Sequence, residues 1–226
     1  MPDGLILPIA NQKDYIRAAL EAGKHVLSEK PVAKNLEEAH ELITCDTETD
    51  WRKNPVHQGG FLLDGGVHYV AGLRRLLESQ PSSKVCRLSS FTTLLQSHLP
   101  PVDTINAILK LESGVSGTYQ QSVGTSLTGS EWTVGYEHGV VSVAGSKVVV
   151  TVAGNTEVNI IEDERTGVPP VVRIWAEAIA AGITVKDLEP EEALADLEVL
   201  ELMLRSGESD GLSMSCQYQH IVSNPN

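Results

Sequence analysis

A lysine between a glutamate and a proline is the first group in this sequence that could do chemistry. Glu29, Lys30 and Pro31 follow the apolar stretch HVLS at residues 25–28. A charged pair at the end of a buried strand is costly to desolvate unless it faces a crevice. In such a crevice, a lysine cation can stabilise negative charge that develops on a reacting oxygen. The same residues are also compatible with a solvated lysine that merely precedes a proline.

An aspartate and a histidine four positions apart form the second such group. Asp64 and His68 lie in the stretch GGFLLDGGVHYVAGLRRLL at residues 59–77. Residues four apart on a helix share one face. A histidine titrates near neutral pH, so it suits the base that takes the hydroxyl proton when a secondary alcohol is oxidised. Taken alone, His68 is also typical of a structural histidine, and Asp64 could cap the helix that follows the glycine pair.

The elements around Lys30 predict a right-handed βαβ unit. Residues 4–9, GLILPI, are a short apolar run typical of a buried parallel strand. Asn11 favours a helix start, and residues 25–28 supply the second strand. Strand, helix and strand this close together indicate a right-handed crossover. A further helix is expected to start at Asn35.

The central part of the chain predicts a second, antiparallel region. Residues 45–58 are polar and aperiodic, which indicates a loop. In the stretch 59–77, we expect the glycine-bracketed first half to be extended and the second half to be helical. From about 84 to 161, seven short strands separated by turn residues indicate one antiparallel sheet.

Two helices are predicted to close the chain. The first spans Val171–Ala181, and the second spans Pro190–Leu204 and stops before Gly207. The acidic run EPEEALADLE at residues 189–198 is expected to be a solvated face of the second helix.

Composition restricts the classes of partner. The formal net charge of -13 makes nucleic acid and anionic membranes poor partners, because such a chain repels phosphate. The three cysteines are scattered without a CxxC pair, so neither a disulfide framework nor a metal site is indicated. No run approaches the ~18 apolar residues of a membrane span, and the N-terminus does not resemble a signal peptide. These features favour a cytoplasmic protein that acts on a small molecule.

Three stretches resemble the Gfo/Idh/MocA family of NAD(P)-dependent oxidoreductases: EAGKHVLSEKPVA, GGFLLDGGVHYVAGLRRLL and AIAAGITVKDLEPEEALADLEVLELMLRSG. The paired EKP and DGGVH motifs are specific in combination. The resemblance implies an α/β, Rossmann-like part over residues 1–50. It also implies an α+β domain with a large, mainly antiparallel sheet over residues 51–226. In that family the sheet mediates subunit association, which implies a homo-oligomer.

The resemblance also implies the roles of individual residues. Lys30 matches the lysine beside the nicotinamide and the substrate, and Asp64 and His68 match the pair that acts in proton transfer and substrate binding. The crevice would then lie at the carboxyl end of a strand, where α/β sheets place ligands. The residues expected to contact NAD(P) on its nicotinamide side are Pro8, Asn11, Glu29, Lys30 and Pro31.

Two parts of the family pattern are absent from the sequence. No GxGxxG turn, which cradles the cofactor pyrophosphate, occurs in the 226 residues, and the first strand resembles the family's fourth. Residues 45–50 look like a junction over a deleted segment. Three functions therefore stay open: an NAD(P)-dependent oxidoreductase, a cofactor-independent small-molecule binder or acid–base catalyst, and a non-catalytic oligomerising remnant.

We predict that the isolated chain binds NADP(H) much more weakly than a family member that has the glycine turn. The reason is that the pyrophosphate then lacks the glycine turn and the helix N-terminus that usually hold it. Isothermal titration calorimetry on the purified chain tests this, and a micromolar or tighter dissociation constant would contradict it.

Overall fold

The N-terminal residues form the expected parallel βαβ unit. The computed structural model describes residues 3–5, 9–43, 60–162 and 167–220. Strand β1 (Asp3–Leu5) pairs in parallel with β2 (Val26–Ser28), and α1 (Ile9–Glu21) connects them. The predicted helix start at Asn11 is wrong, because α1 already begins at Ile9 and Asn11 lies within its first turn.

Helix α2 follows the Glu29–Lys30–Pro31 segment and starts as predicted. It spans Leu36–Ile43, and the side-chain Oδ1 of Asn35 accepts a hydrogen bond of 2.8 Å from the backbone N–H of Glu38. Asn35 therefore caps the helix by satisfying one of its free N–H groups.

Helix α3 is continuous from Gly60 to Leu77, so the expectation of an extended first half is wrong. Its apolar residues recur at helical spacing, and packing along that face outweighs the helix-breaking tendency of the glycines. Gly66 allows a close approach, since a Cβ at this position would lie 3.0 Å from the Cδ2 of Leu200. The buried apolar residues of α3 are Leu62, Leu63, Val67 and Val70.

The first antiparallel sheet has four strands in the order β10-β3-β4-β5. Three are strands that the sequence predicts: β3 (Val85–Thr93), β4 (Thr104–Leu111) and β5 (Ser116–Ser122). The fourth, β10 (Met214–Ser215), comes from the end of the chain and pairs with β3. A strand of two residues has no recognisable period, so the sequence gives no signal for it.

The other four predicted strands form a separate sheet in the order β6-β7-β8-β9. They are β6 (Trp132–Tyr136), β7 (Gly139–Ala144), β8 (Lys147–Val152) and β9 (Asn155–Ile160). All seven predicted strands are therefore confirmed. The expectation of one sheet is wrong for the described residues, because the ladder stops at β5 and nine residues rich in glycine, serine and threonine precede β6.

The chain divides into two compact units. The first comprises Met1–Thr125 with Thr184–Asn226, and the second is Ser126–Ile183. The predicted domain boundary at residues 50 and 51 lies outside the described residues. The second unit consists of the sheet β6–β9 and the helix α4 (Val168–Ala181). Ala178 is the only buried residue that the structure describes in this unit.

The core of the first unit is built around its last helix, α5 (Pro190–Glu208), which a short 3-10 turn (Lys186–Leu188) precedes. The predicted end before Gly207 is wrong, because α5 continues through Gly207 to Glu208. A Cβ at Gly207 would meet the Oγ1 of Thr92 at 2.4 Å. This glycine therefore permits close helix–sheet packing rather than ending the helix. The fully buried leucines and methionine of α5 are Leu194, Leu197, Leu200 and Met203.

The acidic run of α5 is not a solvated face, and that expectation is wrong. Glu198 is 1% exposed and its carboxylate accepts hydrogen bonds from the backbone N–H groups of Gln217 and Tyr218 and from the Nε2 of Gln219. One turn further on, Glu201 is also 1% exposed. Such acids are rarely buried unless they are paired, and here each one accepts donors from a distant segment. Among the described residues, no helix is long and apolar enough to cross a membrane.

We predict that Glu198→Gln lowers the free energy of unfolding by roughly 2–3 kcal/mol. The new amide would point an N–H group at donors that now bind a carboxylate, so buried polar groups would lose their partners. Urea unfolding followed by circular dichroism measures the change, with the partly exposed Glu191→Gln on the same helix as the control. Equal stability of the two variants would show that the buried carboxylate is not stabilising the C-terminal segment.

Candidate functional site

Lys30 lies directly after the carboxyl end of β2. Glu29 and Lys30 are half-buried, and the peptide bond between Lys30 and Pro31 is cis. The next residues, Pro31, Val32 and Ala33, are buried in the core of the first unit. The charged residues are therefore held at the surface of the βαβ unit by a buried anchor that follows them.

Helix α5 fixes the end of the Glu29–Lys30–Pro31 segment, where α2 begins. The backbone N–H of Leu36, the first residue of α2, donates a hydrogen bond to the buried carboxylate of Glu201. Burial raises the pKa of Glu201, while the Leu36 N–H and the Arg205 guanidinium act in the opposite direction. A carboxylate at the N-terminus of a helix is also favoured by the helix dipole. Glu201 thus ties the lysine-bearing segment to the core.

Helix α3 presents two different faces. Its buried face packs on α5, with Gly66 against Leu200. His68 lies two residues from Gly66, on the other side of the helix, and is exposed. Asp64 is one turn before His68, so the backbone puts these two positions on the same face. This is the arrangement that the sequence predicts for a proton-transfer pair, although the Asp64 side chain is not among the described ones.

Arg74 joins α3 to α5 near the other end of the helix. Its guanidinium donates to the carboxylates of Glu192 and Asp196 and to the side-chain oxygen of Gln219. Burial raises the pKa of Asp196 to about 6, although Arg74 acts to lower it. The pKa of Arg74 is raised, because the attraction of the two carboxylates outweighs the effect of its burial. The orientation of α3 is therefore set by apolar packing at Gly66 and by this ionic cluster.

The two segments that carry the predicted catalytic residues are both attached to α5. The backbone N–H of Leu36, which follows Lys30 closely in the sequence, donates a hydrogen bond to Glu201 on α5. Helix α3 packs on α5 along its buried face. Of the residues predicted to contact the cofactor, Pro8 lies outside the described part of the chain. Asn11 lies inside α1, and nothing is described of its side chain.

Tyr119 and Gln121 are neighbours of α3 that sequence reasoning missed. The O–H of Tyr119 donates a hydrogen bond of 2.6 Å to the Oε1 of Gln121, and that oxygen lies 2.9 Å from where a Cβ of Gly66 would be. Burial and the nearby Tyr69 raise the pKa of Tyr119, so its hydroxyl stays protonated and remains a donor. The strand-like stretch at residues 115–123 predicts β5, but not which helix its buried side faces.

The site fits the nicotinamide half of a dinucleotide better than its pyrophosphate half. A half-buried lysine at the carboxyl end of a parallel strand is suited to a cofactor ring and a reacting oxygen. Neither the sequence between β1 and α1, residues 6–8, nor that between β2 and α2, residues 29–35, contains a glycine. The sequence at these two places therefore does not encode the glycine turn that usually holds a pyrophosphate. No group of three or more metal-ligating side chains occurs among the described residues.

Two family models match this chain. Residues 5–52 match an oxidoreductase family described as having an NAD-binding Rossmann fold, and residues 36–142 match the GFO/IDH/MocA C-terminal domain. The chain belongs to the Gfo/Idh/MocA oxidoreductase family. The predicted family and the predicted fold class are both confirmed.

A dehydrogenase is among the proteins to which this chain is similar. Dehydrogenase FPY6 of Fusarium mangiferae is 29% identical over 255 residues, covering 87% of this chain and 72% of the relative. That alignment is longer than the chain itself, so the relative has residues without a counterpart here.

Solved structures of oxidoreductases share the fold of this chain. One from Thermotoga maritima has a TM-score of 0.77 at 24% identity and covers 95% of this chain and 78% of its own. An Agrobacterium radiobacter oxidoreductase, solved with NAD+, L-tartaric acid and magnesium, has a TM-score of 0.76 at 12% identity. It covers 94% of this chain and 79% of its own.

Proposed function

We propose that this chain is an NAD(P)-dependent oxidoreductase that interconverts a secondary alcohol and a carbonyl group on a small, sugar-like molecule. The observation that carries the proposal is the position of Lys30 at the carboxyl end of β2, inside the region that matches an NAD-binding family model. A cytoplasmic location and a small-molecule substrate agree with the acidic composition and the scattered cysteines.

Three side chains share the chemistry in this proposal. The cofactor, when bound, supplies the hydride acceptor for the carbon–hydrogen bond of the alcohol. His68 takes the hydroxyl proton, and Asp64, one turn earlier on α3, orients the imidazole and the substrate. Lys30 stabilises the negative charge that develops on the substrate oxygen. The reverse reaction uses the same groups, with His68 as the proton donor.

The nicotinamide side would be held by residues of the βαβ unit. Glu29, Lys30 and Pro31, at the end of β2, are the residues proposed to contact it, with Asn11 in the first turn of α1 and Pro8 as further candidates. In open α/β sheets ligands bind at the carboxyl ends of the strands, which supports this choice.

A second candidate is a cofactor-independent acid–base catalyst or small-molecule binder that uses Lys30, Asp64 and His68. The absence of glycine from both strand-to-helix connections favours it, because neither offers a pyrophosphate the usual backbone cradle. A third, a non-catalytic oligomerising remnant, is supported by the many exposed apolar residues of the second sheet.

We predict that turnover depends on Lys30 and His68. Lys30→Ala removes the cation beside the reacting oxygen and His68→Ala removes the base, so each should lower kcat/KM by on the order of a hundredfold. The assay follows NADPH or NADH oxidation with a panel of sugar-like ketones. Lys24→Ala and His138→Ala, which alter exposed residues outside the predicted site, are the matched controls.

Two results would contradict this assignment. Full activity in both variants would show that Lys30 and His68 are not catalytic. If the unaltered chain binds sugar-like ligands, as seen by saturation-transfer NMR, but never oxidises the cofactor, the cofactor-independent candidate replaces the oxidoreductase.

We also propose that the chain is a homo-oligomer joined through its C-terminal sheets. Of the described residues in the second unit only Ala178 is buried, which is too little core for about sixty residues to be stable alone. Val140, Val158 and Ile160 are 42%, 51% and 66% exposed, and the strand register puts them on one face. The same face also carries Lys147 and two threonines, so the apolar patch meant here is the part around Val158, which lies opposite Val149. Soluble monomers rarely leave large apolar patches open, and a second copy of the chain offers a complementary one.

We predict that Val158→Lys dissociates this oligomer, because it places a charge in the apolar patch. Asn159→Lys is the matched control, since the neighbouring position on β9 points to the opposite face of the sheet. Size-exclusion chromatography with light scattering should show a monomer for the first variant and the native oligomer for the second. A cooperative monomer of the unaltered chain at high micromolar concentration would rule out the proposal.

A further inference from the structure

Two of the three cysteines lie opposite each other on neighbouring strands. β10 pairs with β3 in antiparallel register, with Met214 opposite Leu88 and Ser215 opposite Arg87. The next pair in this register is Cys216 and Cys86, and the backbone N–H of Cys216 donates a 3.0 Å hydrogen bond to the carbonyl of Cys86. Both side chains are reduced and partly exposed.

The backbone geometry suits a covalent link between them. Directly opposed residues of an antiparallel pair have Cα atoms about 4.5–5.5 Å apart and side chains on the same face. Disulfides form when the Cα atoms are about 4.4–6.8 Å apart. The Cys86 thiol now donates a 3.4 Å hydrogen bond to the Lys110 carbonyl on β4, so its side chain has to rotate toward β10 for the bond to form. β10 is a two-residue strand at the edge of the sheet and can shift to meet it.

We propose that Cys86 and Cys216 form a reversible cross-strand disulfide when the chain meets a small disulfide oxidant such as oxidised glutathione. The Cys86 thiolate attacks one sulfur of the oxidant and releases one glutathione thiolate. The Cys216 sulfur then attacks the mixed disulfide and releases the second glutathione. The two protein thiols lose two electrons and two protons, and the oxidant is reduced to two glutathione molecules.

The order of the two steps follows from the surroundings of the thiols. Burial, with the nearby Glu198 carboxylate and Cys86, raises the pKa of Cys216 to about 12. Its thiolate is therefore scarce at neutral pH, which leaves Cys86 as the attacking thiol. Cys86 also sits at an irregularity of the ladder, where the β3–β4 register shifts between Val85 and Arg87. Bulges of this kind occur where a strand bends and re-aims a side chain.

The link would fasten the end of the chain to the core of the first unit. It closes a loop of about 130 residues and so restricts the unfolded chain far more than the folded one. Residues 217–219, which follow Cys216, bind the buried carboxylate of Glu198 on α5. The disulfide therefore stabilises the contact between β10 and the helix that positions α2 and α3.

The test uses a Cys45→Ser background, so that only the two opposed cysteines remain. This protein is compared with Cys45→Ser/Cys86→Ser and Cys45→Ser/Cys216→Ser, each treated with oxidised glutathione and then with dithiothreitol. Free thiols are titrated after denaturation, the linked peptides are identified by non-reducing mass spectrometry, and Tm is measured.

The proposal expects the Cys45→Ser protein to lose both thiols within one chain and to gain on the order of 5–10 °C in Tm, with full reversal by dithiothreitol. The two double variants should keep their Tm. Two persistent thiols, a separate glutathione adduct on each cysteine, or a link between chains would each overturn the proposal. A linked chain with an unchanged or lower Tm would overturn it too, because the native strands would then not hold the cysteines in register.

Discussion

The buried carboxylates of α5 are the constraint on which the rest of the first unit depends. Glu198 binds the C-terminal segment, Glu201 binds the N-terminus of α2, and Asp196 shares the guanidinium of Arg74 with Glu192. Glu198 and Glu201 are removed from bulk water and would be destabilising without their donors, and Asp196 and Glu192 are partly removed from it. One helix thereby fixes the segment after Lys30, the orientation of α3 and the edge strand β10.

The sequence predicted the elements well where local pattern decides them. Short strand-like stretches separated by turn residues identified all seven internal strands, and the Asn35 cap identified the start of α2. It failed where distant residues decide the outcome. The acidic run of α5 was predicted to be a solvated face, because the donors that bind it lie far along the chain. The first half of α3 was predicted to be extended because of its glycines, since Leu200, which packs on Gly66, is about 130 positions away.

The candidate site shows the same division between local and distant information. Motif and spacing predict Lys30, Asp64 and His68 as site residues, and the helical periodicity of α3 puts the last two on one face. No sequence signal indicated that Tyr119 and Gln121 of β5 lie beside the opposite face of that helix. Pairing between a strand and a helix depends on side-chain fit across the core, which periodicity does not encode.

The hydrogen bond between Leu36 and Glu201 spans 165 positions of the chain. During synthesis, at roughly 5–20 residues per second, the nascent N-terminal unit waits on the order of 10–30 s before α5 leaves the ribosome. Throughout that interval the segment after Lys30 lacks its anchor, and two short parallel strands stay open to wrong pairing. This protein should therefore need chaperones mainly while it is being synthesised, and less once the complete chain has folded.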